Sequence, residues 1–328
     1  MRAIGIKRFG GVEVLDTITI EAPSPGPGQV RVKVAYAGVN RIDAHVRSGA
    51  FLGRSRDTTD GPLVLGYEGA GTVDAVGENV AGIAIGTRVA WCGIRGAYAE
   101  LAVVPAWQLV PVPDAMPLDV ACALQLDGVL AHALSVSVFP IQKDDRVLIQ
   151  SGGDPVALLL TQIAKAQGAE VVATVATNSD VAALLEAGAD YVVLLAADKA
   201  RAEIQEATRG QGCHVVYDAG GRDTIALSLA SCRRRGMVVL YEARSGAVEQ
   251  INPVDLAASG SLYLTRPHLS DFMQDATEVR WRTEGLFSAW QSGRLKVGIG
   301  RAFALEAARE AHVALEAKGT RGKILLKV

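Results

Sequence analysis

The chain has 328 residues, of which 49% are hydrophobic and 21% are charged, and its formal net charge at pH 7 is −2. This is the composition of a well-packed globular protein long enough for two domains, which excludes disordered and fibrous classes. The near-neutral charge and the absence of long basic or acidic runs argue against nucleic acid and anionic membranes as partners.

The cysteines and the N-terminal residues indicate the cellular compartment. Cys92, Cys122, Cys213 and Cys232 lie far apart and form no Cys-x-x-Cys pair. Such spacing predicts neither a disulfide framework nor a zinc knot, and it favours idle thiols in a reducing cytoplasm. No run of 18 apolar residues occurs, and charge interrupts the N-terminal stretch. We therefore expect a cytoplasmic protein without an export signal or a membrane anchor.

The first third of the chain has the pattern of an irregular β-rich domain. Residues 30–34 alternate between valine and basic side chains, as in a strand with one buried face. Glycines interrupt the apolar runs repeatedly up to about Pro113. Short strands joined by turns are therefore predicted here.

From Asp144 onward the pattern changes to alternating strands and helices. Apolar segments predict strands at 147–149, 171–173, 192–194, 215–217 and 238–240. Intervening segments predict helices at 156–167, 180–187, 199–208 and 223–230. Uniformly apolar strands that alternate with helices indicate a parallel sheet covered on both faces.

The last part of the chain has a mixed pattern. Helices are predicted around 276–291 and 304–316, followed by a strand at 323–326. This mixture suits a return of the chain to the first domain.

Several motifs are distributed along the chain. The early ones are Ala37-Gly38-Val39-Asn40-Arg41-Ile42-Asp43, Gly66-Tyr67-Glu68-Gly69-Ala70-Gly71 and Gly96-Ala97-Tyr98-Ala99-Glu100, and later ones lie at 215–218, 221–224, 245–248, 265–267 and 293–296. These motifs resemble those of the zinc-independent quinone oxidoreductases of the medium-chain dehydrogenase/reductase superfamily, and the resemblance extends over essentially the whole chain.

The resemblance implies an α/β fold with two domains. A GroES-like β-rich domain is expected from residues 1–120 and 258–328, and a Rossmann domain with a doubly wound parallel sheet from 121–257. It also implies an active cleft between the domains and a homodimer or homotetramer. Zinc is not expected, because Tyr67 replaces a histidine and Gly38-Val39-Asn40 replaces a cysteine of the zinc-dependent relatives.

The chain departs from its relatives at the phosphate-binding turn. Relatives reduce quinones or enones with NADPH and carry Ala-Ala-Gly-Gly-Val-Gly, where this chain has Gly152-Gly153-Asp154-Pro155-Val156-Ala157. Glycines let the backbone approach the pyrophosphate, which the helix N-terminus then binds. Asp154 places a carboxylate there, and Pro155 removes an amide donor. Asp followed by Pro instead predicts a helix that caps itself.

The other cofactor contacts are also altered. No acid lies at 174–177 to receive the ribose hydroxyls of NAD, and Asp180 stands where relatives carry a lysine for NADPH. Leu195, Leu130 and Tyr241-Glu242 replace an adenine-side tyrosine, a threonine near the nicotinamide and a Phe-Gly pair. The family positions for the cofactor are thus Gly152, Gly153, Asp154, Val156 and Asp180. We expect no cofactor, or NADPH if the family function is retained.

If the cofactor is absent, the cleft is free for acid/base chemistry on a substrate. The candidate catalytic residues are His132, Glu242, Tyr241, Asn40 and Asp43. A histidine and a partly buried carboxylate could exchange protons with an enolisable ketone or quinone. Asn40 and Asp43 have the alternative role of holding a loop of the first domain.

Three functions are compatible with these residues. The first is a cofactor-independent isomerase, cyclase or lyase acting on a carbonyl-rich or quinone-like small molecule. The second is an NAD(P)H-dependent quinone or enoyl reductase with an atypical phosphate-binding turn, and the third is a non-catalytic binding or scaffold protein. The coordinated changes at the cofactor positions favour the first.

Overall fold

The computed structural model describes residues 1–50, 61–150, 152–195, 199–317 and 322–328. The chain forms two units. The first contains Met1–Val129, Met273–Ser292 and Val297–Val328, and the second contains Leu130–Phe272 and Gly293–Lys296.

Among its described residues up to His132, the chain begins with eight strands and three α-helices. The strands are β1 (Arg2–Ile6), β2 (Asp16–Thr19), β3 (Gln29–Val39), β4 (Leu63–Val64), β5 (Glu68–Val76), β6 (Arg88–Cys92), β7 (Leu101–Pro105) and β8 (Val110–Pro111). The helices are α1 (Arg41–Ser48), α2 (Leu118–Ala123) and α3 (Leu126–His132), the last of which continues into the second unit.

The second unit alternates strands and helices. Its elements are β9 (Arg146–Gln150), α4 (Pro155–Ala166), β10 (Glu170–Val175), α5 (Val181–Glu186), β11 (Tyr191–Leu194), α6 (Ala200–Ala207), β12 (Cys213–Asp218), α7 (Ile225–Ser231), β13 (Cys232–Leu240), α8 (Pro253–Ala258) and β14 (Tyr263–Thr265). The chain then returns to the first unit through α9 (Ala276–Gln291), β15 (Ile299–Ala304), α10 (Ala308–Glu316) and β16 (Lys323–Lys327).

The first unit is built on a seven-stranded sheet with the order β15-β16-β3-β5-β6-β8, in which β7 also pairs with β3. Along β3, Val30, Val32 and Val34 are buried, because alternate side chains of a strand face the same side. The alternation predicted for residues 30–34 is confirmed. Strand β16 pairs antiparallel with the end of β3, so the return segment completes this sheet.

The second unit contains the predicted parallel sheet, in the order β11-β10-β9-β12-β13-β14. Leu148, Val172, Val216 and Val238 form its core, and all four are fully buried. The strand order reverses between β9 and β12, which in doubly wound sheets is where ligands bind beside the carboxyl ends of the strands. The turns after β9, β10, β12 and β13 therefore define the edge at which a functional site is expected.

The observed units differ from the predicted domain boundaries. Helix α2 packs against β3 and β5 of the first unit, so the first boundary lies beyond residue 120. Strand β14 pairs with β13 in the parallel sheet, so the second unit extends to Phe272 instead of residue 257. With only three residues, β14 carries too short a pattern to be recognised from the sequence.

Within the described ranges, no helix combines the length and apolar character that crossing a bilayer requires.

Candidate cofactor site

The turn between β9 and α4 lies at the carboxyl edge of the parallel sheet. Gly152 N donates to Thr174 O at 2.7 Å, which ties the turn to the end of β10. Gly153 has φ +106°, a left-handed conformation that favours glycine. Gly152 is thus held against the end of the neighbouring strand.

Asp154 caps the helix that follows this turn. Its backbone is extended, and its Oδ1 accepts a hydrogen bond from Ala157 N at 2.7 Å. Pro155 occupies the first helical position, where an amide hydrogen would have no partner within the helix. The predicted self-capped helix is confirmed. Val156, the next residue of the helix, is buried.

Arg244 provides the positive charge at this turn. Its guanidinium forms an ion pair with the Asp154 carboxylate, and its Nε lies 2.8 Å from Glu242 Oε2. The three side chains are 22%, 14% and 23% exposed, respectively. Because they are largely withdrawn from water, the attraction between them is screened less than that of a surface ion pair.

The loops after β12 and β13 hold Arg244 in position. Arg244 N donates to Ala219 O, and Tyr241 N donates to Asp218 O, both at 3.0 Å. The buried Asp218 carboxylate accepts four further hydrogen bonds, of which those from the Thr224 and Ser228 hydroxyls are 2.7 and 2.6 Å long. The backbone that carries Arg244 is therefore fixed by a network that does not involve Asp154.

Sequence reasoning missed Arg244. The residue is 90 positions away from Asp154, and only the parallel sheet brings their two turns together. The only signal was the partial burial of the Asp154 carboxylate, since a buried charge favours a partner of opposite charge. The loops after neighbouring strands of the sheet were the places to look for it.

Asp180 lies beside the same turn. It ends the short 3₁₀ turn Asn178–Asp180 after β10, and its carboxylate accepts a hydrogen bond from Thr177 Oγ1 at 3.1 Å. A Cβ atom built on Gly153 would lie 3.2 Å from Asp180 Oδ2. The structure therefore brings together Gly153, Asp154 and Asp180, three of the five cofactor positions predicted from the sequence, and adds Arg244.

The predicted catalytic residues of the second unit occupy different environments. Glu242 is partly buried and paired with Arg244. Tyr241 is buried at the end of β13, whereas His132 is half-buried at the end of α3. Their catalytic roles stay predictions.

Asn40 and Asp43 belong to the first unit, at the start of α1. Asn40 N donates to Asp43 Oδ2 at 2.9 Å, and Gly66 N donates to Asp43 Oδ1 at 3.1 Å. Asp43 is completely buried, and desolvation raises its pKa to about 7 although the two amides favour the ionised form. These contacts support the alternative role, in which the two residues hold a loop.

A buried cluster of charges lies next to Asn40. Lys323 Nζ forms ion pairs with Glu68 and, at 2.7 Å, with Asp127, and it donates to Asn40 Oδ1 at 2.6 Å. Desolvation raises the pKa of Glu68. Burial acts against the charge on Lys323, but Asp127 and Glu68 outweigh it, so the pKa of Lys323 is raised as well. The amine is held as a cation between two acids.

This cluster occupies the region in which zinc-dependent relatives carry ligands. A Cβ atom at Gly38 would fall 1.6 Å from Glu68 Oε1, so the carboxylate fills the space that a longer side chain would need. Across the described part of the chain, no three or more His, Cys, Asp or Glu side chains are grouped to hold a metal ion.

Two family models match the chain. The alcohol dehydrogenase GroES-like domain matches residues 26–114, and the zinc-binding dehydrogenase model matches residues 155–275. The quinone oxidoreductase of Salmonella typhimurium is 34% identical over 326 residues, which is 98% of each chain.

Solved structures extend this similarity to three dimensions. Escherichia coli quinone oxidoreductase complexed with NADPH has a TM-score of 0.95 at 33% identity, and a mycobacterial protein complexed with NADPH has 0.93 at 38%. Each comparison covers 100% of both chains.

The fold is that of the medium-chain dehydrogenases and reductases, with a GroES-like unit and a Rossmann-like parallel sheet. Within that class, the chain belongs to the quinone oxidoreductase family.

The prediction of a cofactor-free isomerase, cyclase or lyase is wrong. It rested on a coordinated loss of the NADPH site, but chains that match this one along their whole length have been solved with NADPH bound. The physical error was to treat the Asp154 carboxylate as uncompensated. The carboxylate is paired with Arg244, a cation that it shares with Glu242 and that lies too far along the sequence to belong to the motif.

Proposed function

We propose that this protein is an NAD(P)H-dependent reductase of quinones or related enones that holds the pyrophosphate at an atypical turn. The observation that carries the proposal is the full-length similarity to proteins solved with NADPH. The proposal extends the cofactor and the reaction of those proteins to this chain.

The side chains at the turn fit a pyrophosphate through altered donors. Helix α4 has 12 residues and starts at the carboxyl edge of the sheet, so its N-terminus favours an anion. The planar guanidinium of Arg244 presents paired N–H donors, which suit phosphate oxygens. A pyrophosphate at this turn would compete with Asp154 for Arg244. In this proposal, Arg244 takes over the phosphate binding that the glycine turn provides in the relatives, and the phosphate displaces the Asp154 carboxylate from Arg244.

NAD(P)H, when bound, supplies a hydride to the substrate. Arg244 would hold its phosphates at the N-terminus of α4, and the loop fixed by Asp218 orients Arg244 for that contact. A quinone or enone that accepts a hydride also takes up a proton, for which Tyr241 and His132 are the candidate donors.

The proposed function is tested first by cofactor binding and then by cofactor oxidation. NADH and NADPH are titrated into the full-length protein by calorimetry, and the loaded protein is then mixed with a benzoquinone and with an enone while the oxidation of the cofactor is followed by absorbance. Binding below about 1 mM, the upper end of ordinary Michaelis constants, and cofactor oxidation are expected. If neither dinucleotide binds in that range, the proposal fails.

We also propose a homodimer or homotetramer in the cytoplasm. Strand β14 is an edge of the six-stranded sheet, and its Tyr263 is exposed. An edge strand with exposed aromatic surface suits pairing with a second copy. Light scattering after size exclusion gives the mass, and a monomer at micromolar concentration would contradict this assignment.

A further inference from the structure

The carboxylate of Asp180 is packed onto the phosphate-binding turn. A Cβ atom at Gly153 would meet Asp180 Cγ at 3.0 Å and Asp180 Oδ2 at 3.2 Å, so the acid lies directly over the glycine backbone. Asp180 comes five residues after the end of β10, and the turn at Asn178–Asp180 folds it back to this point. The fold therefore brings Asp180 next to Gly153, although the two residues are far apart in the sequence.

Two hydroxyl groups orient this carboxylate. Thr177 Oγ1 lies 3.1 Å from Oδ2 and Ser179 Oγ lies 3.3 Å from Oδ1, and the two hydroxyls also lie 2.7 Å from each other, so their two protons are shared among these three contacts. An ionised carboxylate has about four lone-pair sites, so each oxygen retains the capacity to accept another hydrogen bond. Asp180 is half-buried, so its carboxylate is partly accessible.

The chemistry of Asp180 matches one of the two nicotinamide cofactors. In a doubly wound sheet, the adenosine ribose lies beside the glycine turn at the end of the second strand, where an acid accepts a hydrogen bond from the 2′-hydroxyl of NADH. NADPH carries a phosphate at that position, with a charge near −2 at neutral pH, and requires a cation there. The stretch from Thr177 to Asp180 contains no lysine or arginine.

We infer that Asp180 makes this enzyme select NADH over NADPH. The inference rests on the proposed function, because it assigns a preference to the same cofactor site. Asp180 receives the ribose hydroxyls of NADH and repels the 2′-phosphate of NADPH. The acid that is missing at 174–177 is supplied from a later position by the fold of the turn.

The size of the preference follows from the charges. Repulsion between unit charges about 5 Å apart changes an equilibrium roughly fourfold in bulk water and roughly two hundredfold at an intermediate dielectric constant. The phosphate carries nearly two charges, and Asp180 is half-buried. The wild-type protein is therefore expected to bind NADH at least about tenfold more tightly than NADPH.

The experiment compares dissociation constants for both cofactors by calorimetry in the wild-type protein, Asp180→Lys and Asp180→Asn. The lysine variant is expected to reverse the preference, and the asparagine variant to reduce it. Glu206→Lys, which makes the same charge change at an exposed position of α6, is the matched control and is expected to keep the wild-type ratio.

The outcomes separate the two proposals. Binding of NADPH as tight as that of NADH in the wild-type protein overturns the role of Asp180 and leaves the reductase function intact. An unchanged ratio in Asp180→Lys does the same. Binding of neither cofactor to the wild-type protein overturns the reductase function and, with it, this inference.

Discussion

The guanidinium of Arg244 is paired with the carboxylate of Asp154 across two turns of the parallel sheet. Asp154 caps its own helix through Oδ1 and contacts Arg244 through Oδ2, so one side chain serves both the fold and the charge balance. The pair places a cation where a dinucleotide needs one, but keeps that cation engaged. Removing the charge of Arg244 and removing the charge of Asp154 should therefore have opposite effects on cofactor binding.

Replacing Arg244 with alanine should weaken binding of both NADH and NADPH. The variant loses the phosphate donor and leaves the Asp154 carboxylate unbalanced. Hydrogen bonds to charged groups contribute about 1.5–3 kcal/mol, which corresponds to a roughly ten- to hundredfold increase in Kd. Calorimetric titration measures the change. Arg201→Ala, at an exposed position of α6, is the control, and equal Kd values for the two variants would rule out a phosphate contact by Arg244.

Replacing Asp154 with asparagine should strengthen cofactor binding while it keeps the helix cap. Asparagine caps a helix about as well as aspartate, so the hydrogen bond from Ala157 N can be kept while the negative charge is removed. Asp154→Ala removes the cap as well and should cost about 1 kcal/mol of stability. Denaturation and titration of both variants separate the two effects. Weaker binding in Asp154→Asn would show that the carboxylate assists the cofactor.

Replacing Lys323 with methionine should strongly destabilise the first unit. The change leaves Glu68 and Asp127 without their shared cation in a buried position, and breaking such a pair typically costs about 3–5 kcal/mol. Urea denaturation followed by fluorescence measures the loss. Lys327→Met, at an exposed position of the same strand, is the control and should change stability by less than about 0.5 kcal/mol. A similar small change in Lys323→Met would mean that the cluster relaxes without its cation.

His312 should make the stability of the protein fall on acidification. Its Nδ1 lies 2.9 Å from the Arg47 guanidinium, its Nε2 lies 3.2 Å from Tyr98 Oη, and the ring is fully buried. Since the guanidinium can only donate, Nδ1 must accept and the ring must be neutral. Burial, and next the charge of Arg47, lower the pKa of His312 from 6.5 to about 3.

The sign of this effect follows from linkage. Between pH 6.5 and 3, the unfolded chain binds a proton at His312 and the folded protein does not, so stability is present above pH 6.5 and is lost as the pH falls. The slope reaches about 1.4 kcal/mol per pH unit. Urea denaturation at several pH values compares wild type with His312→Gln, whose slope should be smaller. Parallel curves would indicate a protonated ring.

The comparison with His312→Gln also removes an opposing contribution from Asp43. The pKa of Asp43 is raised from 3.8 to about 7, mainly by desolvation, so its stabilising effect is present at low pH and is lost as the pH rises through 7. Because glutamine can keep a hydrogen bond to Tyr98 Oη, which also interacts with Asp43, we expect this contribution to be similar in both proteins. The difference between them therefore reports His312.

The sequence predicted the local structure of the parallel sheet well. The apolar segment 147–149 lies within β9, and the helix predicted at 156–167 is α4, one residue earlier at its start and its end. The Asp-Pro pair specified the start of that helix, because both preferences act within a few residues. Such preferences depend only on residues that are close together in the sequence, so the sequence alone is enough to predict them.

The function of the turn could not be obtained in the same way. Arg244 reaches Asp154 only because the turns after β9 and β13 lie along one edge of the sheet, and Asp180 reaches Gly153 only through the fold of the turn at Asn178–Asp180. When aligned positions are compared one at a time, each substitution at a cofactor position counts as the loss of one cofactor contact. The compensation between charges depends on tertiary distances that such a comparison does not contain.

The pairing of β16 with β3 has a consequence for synthesis on the ribosome. Strand β3 is translated early, but its partner follows only after the whole of the second unit. Until β16 has been synthesised, the edge of the sheet at β3 is unpaired. Glu68 and Asp127 also lack the ammonium group of Lys323, with which they form ion pairs in the folded protein. The parallel sheet can close co-translationally, whereas the unit that begins the chain is the last to be completed.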